Sequence, residues 1–423
     1  MKIIILTLTV QRDQCIDNML AEELRGLGHD VAVRNYIYAG HESIVYEKPD
    51  VIIHPMVGAQ YKLDFVKLCK EWGIEVIVRR GEAGVGREQF KQLDAARKEI
   101  HMGHWDYRPY VDLELVWGQE FADILAEQGH IHADKLKACG GFAFDPYFPP
   151  TTRTIDPNRK RTVLFATGFS TADCRGSHCE TGLPEDSDYH EEIRNIHRKA
   201  RDTWIEAINE LVKWFSDDWA FGLKVRPGEM TNEYVQKLRP EVKIHDVKSS
   251  SSEVLRNVDV LVHSGSTMAI EAQLLGIPSF NFCNVNPDPL LASLSPNLAT
   301  YRELEFHLTR SFLIKNGNIN EGVYGELQKH LYGKIDGKAI YNAARFIHYH
   351  IKDKEIKTNI PDVWPKTTEY HIDKENVHLE AKKGDVRWLC PCCRNVYWAK
   401  PCDITKCPFC GYNIAMMKVT VPK

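Results

Sequence analysis

Val258-Asp-Val-Leu-Val-His-Ser-Gly-Ser-Thr-Met-Ala-Ile-Glu-Ala-Gln-Leu-Leu-Gly-Ile-Pro-Ser-Phe280 contains a short apolar run, a small polar turn, a helical stretch and a Gly-Ile-Pro exit. The run Val258 to His263 is β-branched and short, the pattern of a strand buried on both faces. Ser264-Gly-Ser-Thr267 follows, and a helix from about Thr267 to Leu275 starts at once. Hydroxyls and free N–H groups therefore gather at a helix start, which favours anions, and Gly265 lets the backbone approach a phosphate. Glu271 comes one turn later on the side of the mouth, where a carboxylate can accept from ribose hydroxyls. A plainer reading of the same residues makes Ser266 or Thr267 an ordinary N-cap and Glu271 a solvated helix residue.

Outward from this unit, strands and helices keep alternating. Before it come Val163 to Thr167, a long helix from about Glu191 to Phe215, Ala220 to Val225, a helix after Thr231, Val242 to His245 and a helix after Ser252. Ser279 to Phe282 closes the series. Nearer the start, Lys2 to Leu8, Asp30 to Val33, Asp50 to His54, Ile74 to Val78 and Leu113 to Trp117 read as strands. The helices among them are Ile16 to Leu27, closed by Gly28, Phe65 to Trp72, and Gln119 to Gln128. Such alternation predicts the α/β class with two doubly wound, Rossmann-like domains, at 1–148 and 160–335. Pro146, Pro149, Pro150 and Pro157 mark the linker between them. A helix within 336–352 is expected to pack across the junction, and 386–423 forms a small separate unit. Doubly wound sheets bind ligands at the C-terminal edges of their strands, so a cleft between the domains is the expected site.

The chain has 423 residues, 54 Lys and Arg against 58 Asp and Glu, and 43% apolar residues, which is ordinary globular composition. A net charge of −4 argues against whole-surface binding to nucleic acid or anionic lipid. No window approaches the ~20 apolar residues of a membrane span, and Ile3 to Val10 is too short and too soon followed by charge for a signal peptide, so a cytoplasmic protein is expected.

Ser-Gly-Ser-Thr-x-x-x-Glu-Ala-x-x-x-Gly-x-Pro resembles the donor-binding element of GT-B glycosyltransferases and the related sugar-nucleotide 2-epimerases. Within that clan it is most similar to surface-polysaccharide biosynthesis proteins and bacterial sialyl- and Kdo-type transferases. The resemblance implies a nucleotide-sugar donor held by the second domain, through Ser264, Gly265, Ser266, Thr267 and Glu271, and an acceptor held by the first. Two further segments are similar to that family. Arg79-Arg-Gly-Glu-Ala-Gly-Val-Gly86 looks like its acidic-acidic-Gly loop, which implies Glu82 as general base on the acceptor hydroxyl; Ala83 stands where a second carboxylate is expected. A carboxylate does this work when burial raises its pKa. The alternative is a loop Glu paired with Arg79 or Arg80. Lys224-Val-Arg-Pro-Gly-Glu229 stands where the family carries His-Pro on the donor phosphates. Here Arg226 takes that place, and guanidinium is the better bidentate phosphate partner.

Gly168-Phe-Ser-Thr171, ending the first strand of the second domain, offers Gly168 and Ser170 to a phosphate or sugar. Cys174, His178, Cys179, His190 and His197 are too loosely spaced for a zinc site and read as part of a long polar active-site loop and the helix after it. Asp186-Ser-Asp188 lies in that loop and reads as solvated acid, so chemistry without a metal at the reaction centre is expected. His54, at a strand end before Pro55, reads as structural.

Six of the 12 cysteines fall between Cys390 and Cys410. Cys390-Pro-Cys-Cys393 and Cys407-Pro-Phe-Cys410, 13 residues apart, have the spacing of a tetrahedral structural zinc site in a zinc ribbon, with Cys392 and Cys402 to spare. Cys392 in place of Cys393 gives a second register. Eight Lys and Arg between 381 and 423, interleaved with Trp388, Tyr397, Trp398, Phe409 and Tyr412, make a nucleic-acid surface or a docking module.

The leading expectation is a glycosyltransferase that uses a nucleotide-sugar, with a glycan as the favoured acceptor. Its rivals are a phage-type DNA glycosyltransferase whose ribbon grips DNA, a sugar-nucleotide 2-epimerase, and a binding or scaffold protein that has lost catalysis.

Overall fold

The structure is a computed structural model that describes residues 1–7, 10–55, 57, 60–81, 107–148, 159–169, 172, 188–226, 229–245, 249–283, 295–310 and 333–362, and three short strands after residue 385. Its first sheet is wholly parallel, in the order β2-β1-β3-β4-β5-β6. These strands are β1 (Lys2–Thr7), β2 (Asp30–Asn35), β3 (Val51–His54), β4 (Glu75–Arg79), β5 (Leu113–Val116) and β6 (Leu136–Ala138). Helices α1 (Val10–Gly26), α2 (Tyr36–Glu47), α3 (Gln60–Glu71) and α4 (Gln119–Glu127) connect them. Helix α1 starts six residues before the apolar spacing suggests. Its inward stripe opens with Asp13 and Asp17, both buried, before Leu20 and Leu24 continue it. The order of strands reverses between β1 and β3, so Thr7 and His54 end at the switch point of this sheet.

The second sheet runs β12-β11-β10-β7-β8-β9, again all parallel. It comprises β7 (Arg161–Ala166), β8 (Trp219–Lys224), β9 (Val242–Ile244), β10 (Val260–His263), β11 (Ser279–Phe282) and β12 (Asn297–Leu298). The helices are α5 (Asp188–Phe215), α6 (Thr231–Lys237), α7 (Ser251–Leu255), α8 (Met268–Leu274) and α9 (Tyr301–Arg310). Alternate residues of β7 serve different cores, as the two-residue period of a strand requires. Val163 and Phe165 join Trp204, Ile208 and Leu211 of α5. Leu164 and Ala166 join α7, α8 and an apolar cluster continuous with the first domain. The switch point here lies between β7 and β10.

The chain leaves the first domain through a 3₁₀ turn, Phe142–Tyr147, and helix α10 (Ala339–Ile351) returns to pack on α1, β5 and that turn. The α10 N-terminus is capped from far away in sequence. Asp145 accepts from the N–H groups of Ala339 at 3.2 Å and Ile340 at 2.6 Å. Near its other end, His350 at 2.7 Å and Lys354 hold Glu75. Burial alone would raise the Glu75 pKa, but these two partners outweigh it and bring it to about 2.

Beyond the two domains, β13 (Val386–Leu389), β14 (Val396–Ala399) and β15 (Met417–Lys418) form an antiparallel sheet in the order β14-β13-β15. Among the described residues no helix is long and apolar enough to cross a membrane.

Candidate functional site

Gly168, Arg226 and Ser264 follow the C-terminal ends of three neighbouring strands of the second sheet. Gly168 follows β7 and Ser264 follows β10, so the two turns meet at the switch point. A Cβ on Gly168 would stand 2.2 Å from the Ser264 carbonyl oxygen, so only glycine permits this approach. One strand over, Arg226 follows β8, and its N–H donates to Thr167 Oγ1 at 2.8 Å. Arg226 is exposed, and its backbone is tied to the turn that carries Gly168.

The 264–267 turn differs from the sequence expectation of open donors. The Gly265 N–H donates to Asn281 Oδ1 at 3.1 Å, the Ser266 N–H to His263 Nδ1 at 3.3 Å, and the Met268 N–H to Ser266 Oγ at 3.2 Å. Ser264 Oγ donates to the Cys283 carbonyl at 3.3 Å. The turn is thus largely satisfied from within, with Gly265 at φ 63°, and of its side chains only Thr267 is exposed. His263 is fully buried and held by Ser295 at 3.0 Å, and burial lowers its pKa to about 3, so it serves as a neutral acceptor.

Glu271 is also placed differently. It is buried rather than open to the mouth, and it accepts from the hydroxyl of Tyr147 in the linker turn. Helix α8 has only two turns and lies against α7 and the linker turn, so its first-turn carboxylate faces the domain junction. Burial pushes the Glu271 pKa up to about 7 against the hydrogen bonds from Tyr147 and Ser251.

The sequence reading gave no role to Glu229 or Arg201, and took His197 only as part of the helix after the polar loop. Glu229 is buried, and helix α5 brings His197 near Arg226 and, one turn on, Arg201 to 3.8 Å from Glu233. Glu229 closes a segment read for its arginine, and nothing in that spacing signals that its carboxylate is buried. The stripe His197, Arg201, Trp204, Ile208 and Leu211 does carry helical spacing, with polar residues only at the end nearest the strand C-termini.

In the first domain, the stem of the Gly-rich loop is described as far as Gly81. Arg79 is 1% exposed and pairs with Asp17 at 2.6 Å, and Thr7 Oγ1 donates to the same carboxylate at 2.9 Å. Arg80 pairs with the buried Glu114 at 2.5 Å and donates to the Tyr107 hydroxyl at 2.8 Å, while its carbonyl accepts from Trp117 Nε1 at 3.0 Å. His54 is packed between the rings of Tyr36 and Phe65. Glu82, Ser170, Cys174, His178, Cys179, Asp186, Cys390, Cys393, Cys407 and Cys410 lie outside the described residues. Among those described, no group of three His, Cys, Asp or Glu could hold a metal.

No family profile and no curated protein matches the chain. Solved structures do. S. aureus MnaA with UDP superposes with a TM-score of 0.51 at 14% identity, over 85% of this chain and 100% of that one. The UDP-GlcNAc 2-epimerase of Methanocaldococcus jannaschii, in complex with UDP-GlcNAc and UDP, gives 0.51 at 14% identity over 82% and 100%. A variant of the wall teichoic acid polymerase TagF gives 0.51 at 10% identity over 83% and 89%. The chain has a GT-B fold. These neighbours align with both parallel-sheet domains together, since each covers more than four-fifths of the chain, and the likeness is one of fold.

Proposed function

We propose that this chain is a glycosyltransferase that moves a sugar from a nucleotide-sugar, a UDP-sugar first among candidates, to an acceptor hydroxyl. The observation that carries this reading is the convergence of Gly168, Ser264, Thr267 and the exposed Arg226 at the switch point of the second sheet. That is where a doubly wound domain takes a phosphate ligand. Ser170, two residues on from Gly168 in the sequence, would add a hydroxyl to the donor. The diphosphate leaving group would lie against Arg226, whose fixed charge offsets the negative charge that grows as the anomeric C–O bond breaks. Glu82 would take the proton of the acceptor hydroxyl as its oxygen attacks that carbon. No metal is needed at this centre, since Arg226 supplies the positive charge. Glu271 would meet the ribose by exchanging the Tyr147 hydroxyl for a sugar hydroxyl.

A second reading is sugar-nucleotide 2-epimerisation, favoured by a fold likeness to an epimerase as great as that to the polymerase. One experiment separates the two. The purified chain is incubated with CMP-, UDP- and GDP-sugars, with and without glycan or hydroxymethylated DNA acceptors, and products are read by mass spectrometry. Transfer predicts free nucleotide only when an acceptor is present; epimerisation predicts an isomeric nucleotide-sugar with no acceptor. Neither product, with donor binding intact, would leave a scaffold protein. A response to DNA alone would identify the acceptor as nucleic acid.

The C-terminal sheet supports a zinc ribbon as part of this reading. Leu389 pairs with both Val396 and Met417, so β13, β14 and β15 form one sheet, and the sequence between these strands carries the two Cys-x-x-Cys pairs. Cys390, Cys393, Cys407 and Cys410 would hold one structural zinc, whose binding energy folds a unit with too little core of its own. Metal analysis of the purified chain should then find one zinc, lost in a Cys407→Ser, Cys410→Ser double variant. Equal zinc in both proteins would refute the assignment.

A further inference from the structure

We propose that Glu229 is a positioning residue that locks the Arg226 loop to the Gly168 turn, so that both present one surface to the donor diphosphate. The inference rests on the donor reading above and adds the residue that organises it.

Glu229 bridges three elements. Its Oε1 accepts from the Phe169 N–H at 2.6 Å, next to Gly168, and its Oε2 accepts from the Tyr234 hydroxyl on α6 at 2.5 Å. Its own N–H donates to the Arg226 carbonyl at 3.2 Å, and the Arg226 N–H in turn holds Thr167. The loop after β8 is therefore tied to the turn after β7 from both ends. A carboxylate suits the task because it accepts on both oxygens, and Phe169 and Tyr234 both have a proton to give. Its negative charge also lies close enough to Arg226 for the two to attract each other. Lys224, the neighbouring cation, is turned away and donates to the Ser249 carbonyl at 2.6 Å.

Burial pushes the Glu229 pKa up to about 7, against hydrogen bonds from Tyr234, Phe169 and Thr167 and the charge of Arg226. The other groups facing this pocket are Tyr234 and Glu233 from α6 and His197 and Arg201 from α5; Arg201 lies 3.8 Å from Glu233. His197 is held below the usual histidine range, first by burial and then by Arg226, so it stays neutral through neutral pH. Glu229 is then the group in this pocket that changes charge near pH 7. Once protonated, it loses its charge, and the oxygen that carries the proton must donate to the Tyr234 hydroxyl instead of accepting from it, so the charge-assisted hold on the loop is replaced by a weaker neutral one.

The test is titration of the full chain with UDP-GlcNAc, whose two phosphates are diesters and keep their charge across the range. Affinity should fall about tenfold from roughly pH 8 to pH 6, following the ionised fraction of a group that titrates near 7. Glu229→Gln should bind about tenfold more weakly at pH 8 and show a clearly shallower pH dependence, the remainder being that of Glu271, which is also pushed up to about 7. Tyr234→Phe removes a donor to the carboxylate, so its midpoint should move to higher pH. A purely structural role would not move that midpoint, and Tyr234→Phe decides the matter if Glu229→Gln melts early. A flat wild-type profile, or a Glu229→Gln profile like the wild type's, overturns the inference and leaves the donor reading standing. No binding of UDP-GlcNAc by the wild type at any pH removes the UDP-sugar reading and this inference together.

Discussion

Glu82→Gln should lower the rate of sugar transfer by about a thousandfold and leave donor affinity within about twofold, the pattern of a lost proton acceptor rather than a lost binding contact. An acidic residue that follows two arginines could simply be their counter-ion, which would hold its pKa down and make it a poor base. Both arginines are committed elsewhere. Arg79 turns into the core against Asp17, and Arg80 turns the other way onto Glu114 and Tyr107, as alternate residues leaving a strand do. Trp117 fixes the Arg80 carbonyl as well, so the loop leaves the sheet from a rigid stem. Single-turnover rates for wild type and Glu82→Gln with a saturating donor and acceptor provide the measurement. A loss of less than tenfold would place the base on another residue.

Elements with local signals were legible in the sequence, and those completed by distant partners were not. The unit β10-turn-α8-β11 could be read because its strand, turn and helix signals are contiguous, and Gly276 closes α8 at φ 67° as such a helix end favours. Helix α2 went unread because Tyr36-Ile-Tyr-Ala-Gly-His mixes β-formers with a glycine and shows no helical stripe. Tertiary packing against β1 and β2 overrides those preferences. In the site, the placement of Gly168 and Arg226 followed from strand ends alone. What spacing could not give was the partner of each polar group. Asn281 takes the Gly265 N–H, Tyr147 takes Glu271 across 124 residues, and Glu229 reaches back 60 residues to Phe169. A motif tells which groups can bind a ligand; the tertiary structure decides which of them are already spent on the protein itself.

Asp17→Ala should destabilise the protein by about 3–5 kcal/mol, the cost expected when one partner of a buried ion pair is removed and the other keeps its charge. Arg79 is 1% exposed and Asp17 is 0% exposed, so no solvent can replace the lost carboxylate. The ring of Phe142, 5.7 Å from the guanidinium, is a weak substitute. Burial raises the Asp17 pKa, while Arg79 and the hydroxyl of Thr7 oppose it, so the carboxylate depends on these partners to stay charged. Asp13, one turn earlier on the same buried face, adds negative potential that works against Asp17. The pair joins α1, the end of β1 and the end of β4 at the switch point of the first sheet. Its loss should therefore loosen the stem that carries Glu82 as well as lower stability. Urea midpoints for Asp17→Ala, Arg79→Met and the double variant supply the check. The double variant should cost less than the two single changes added together, by about 1–3 kcal/mol, because the second change removes the charge that the first leaves stranded. Additive losses would mean that the two side chains lie close without depending on each other, and that the stem is held by Arg80 and Trp117 alone.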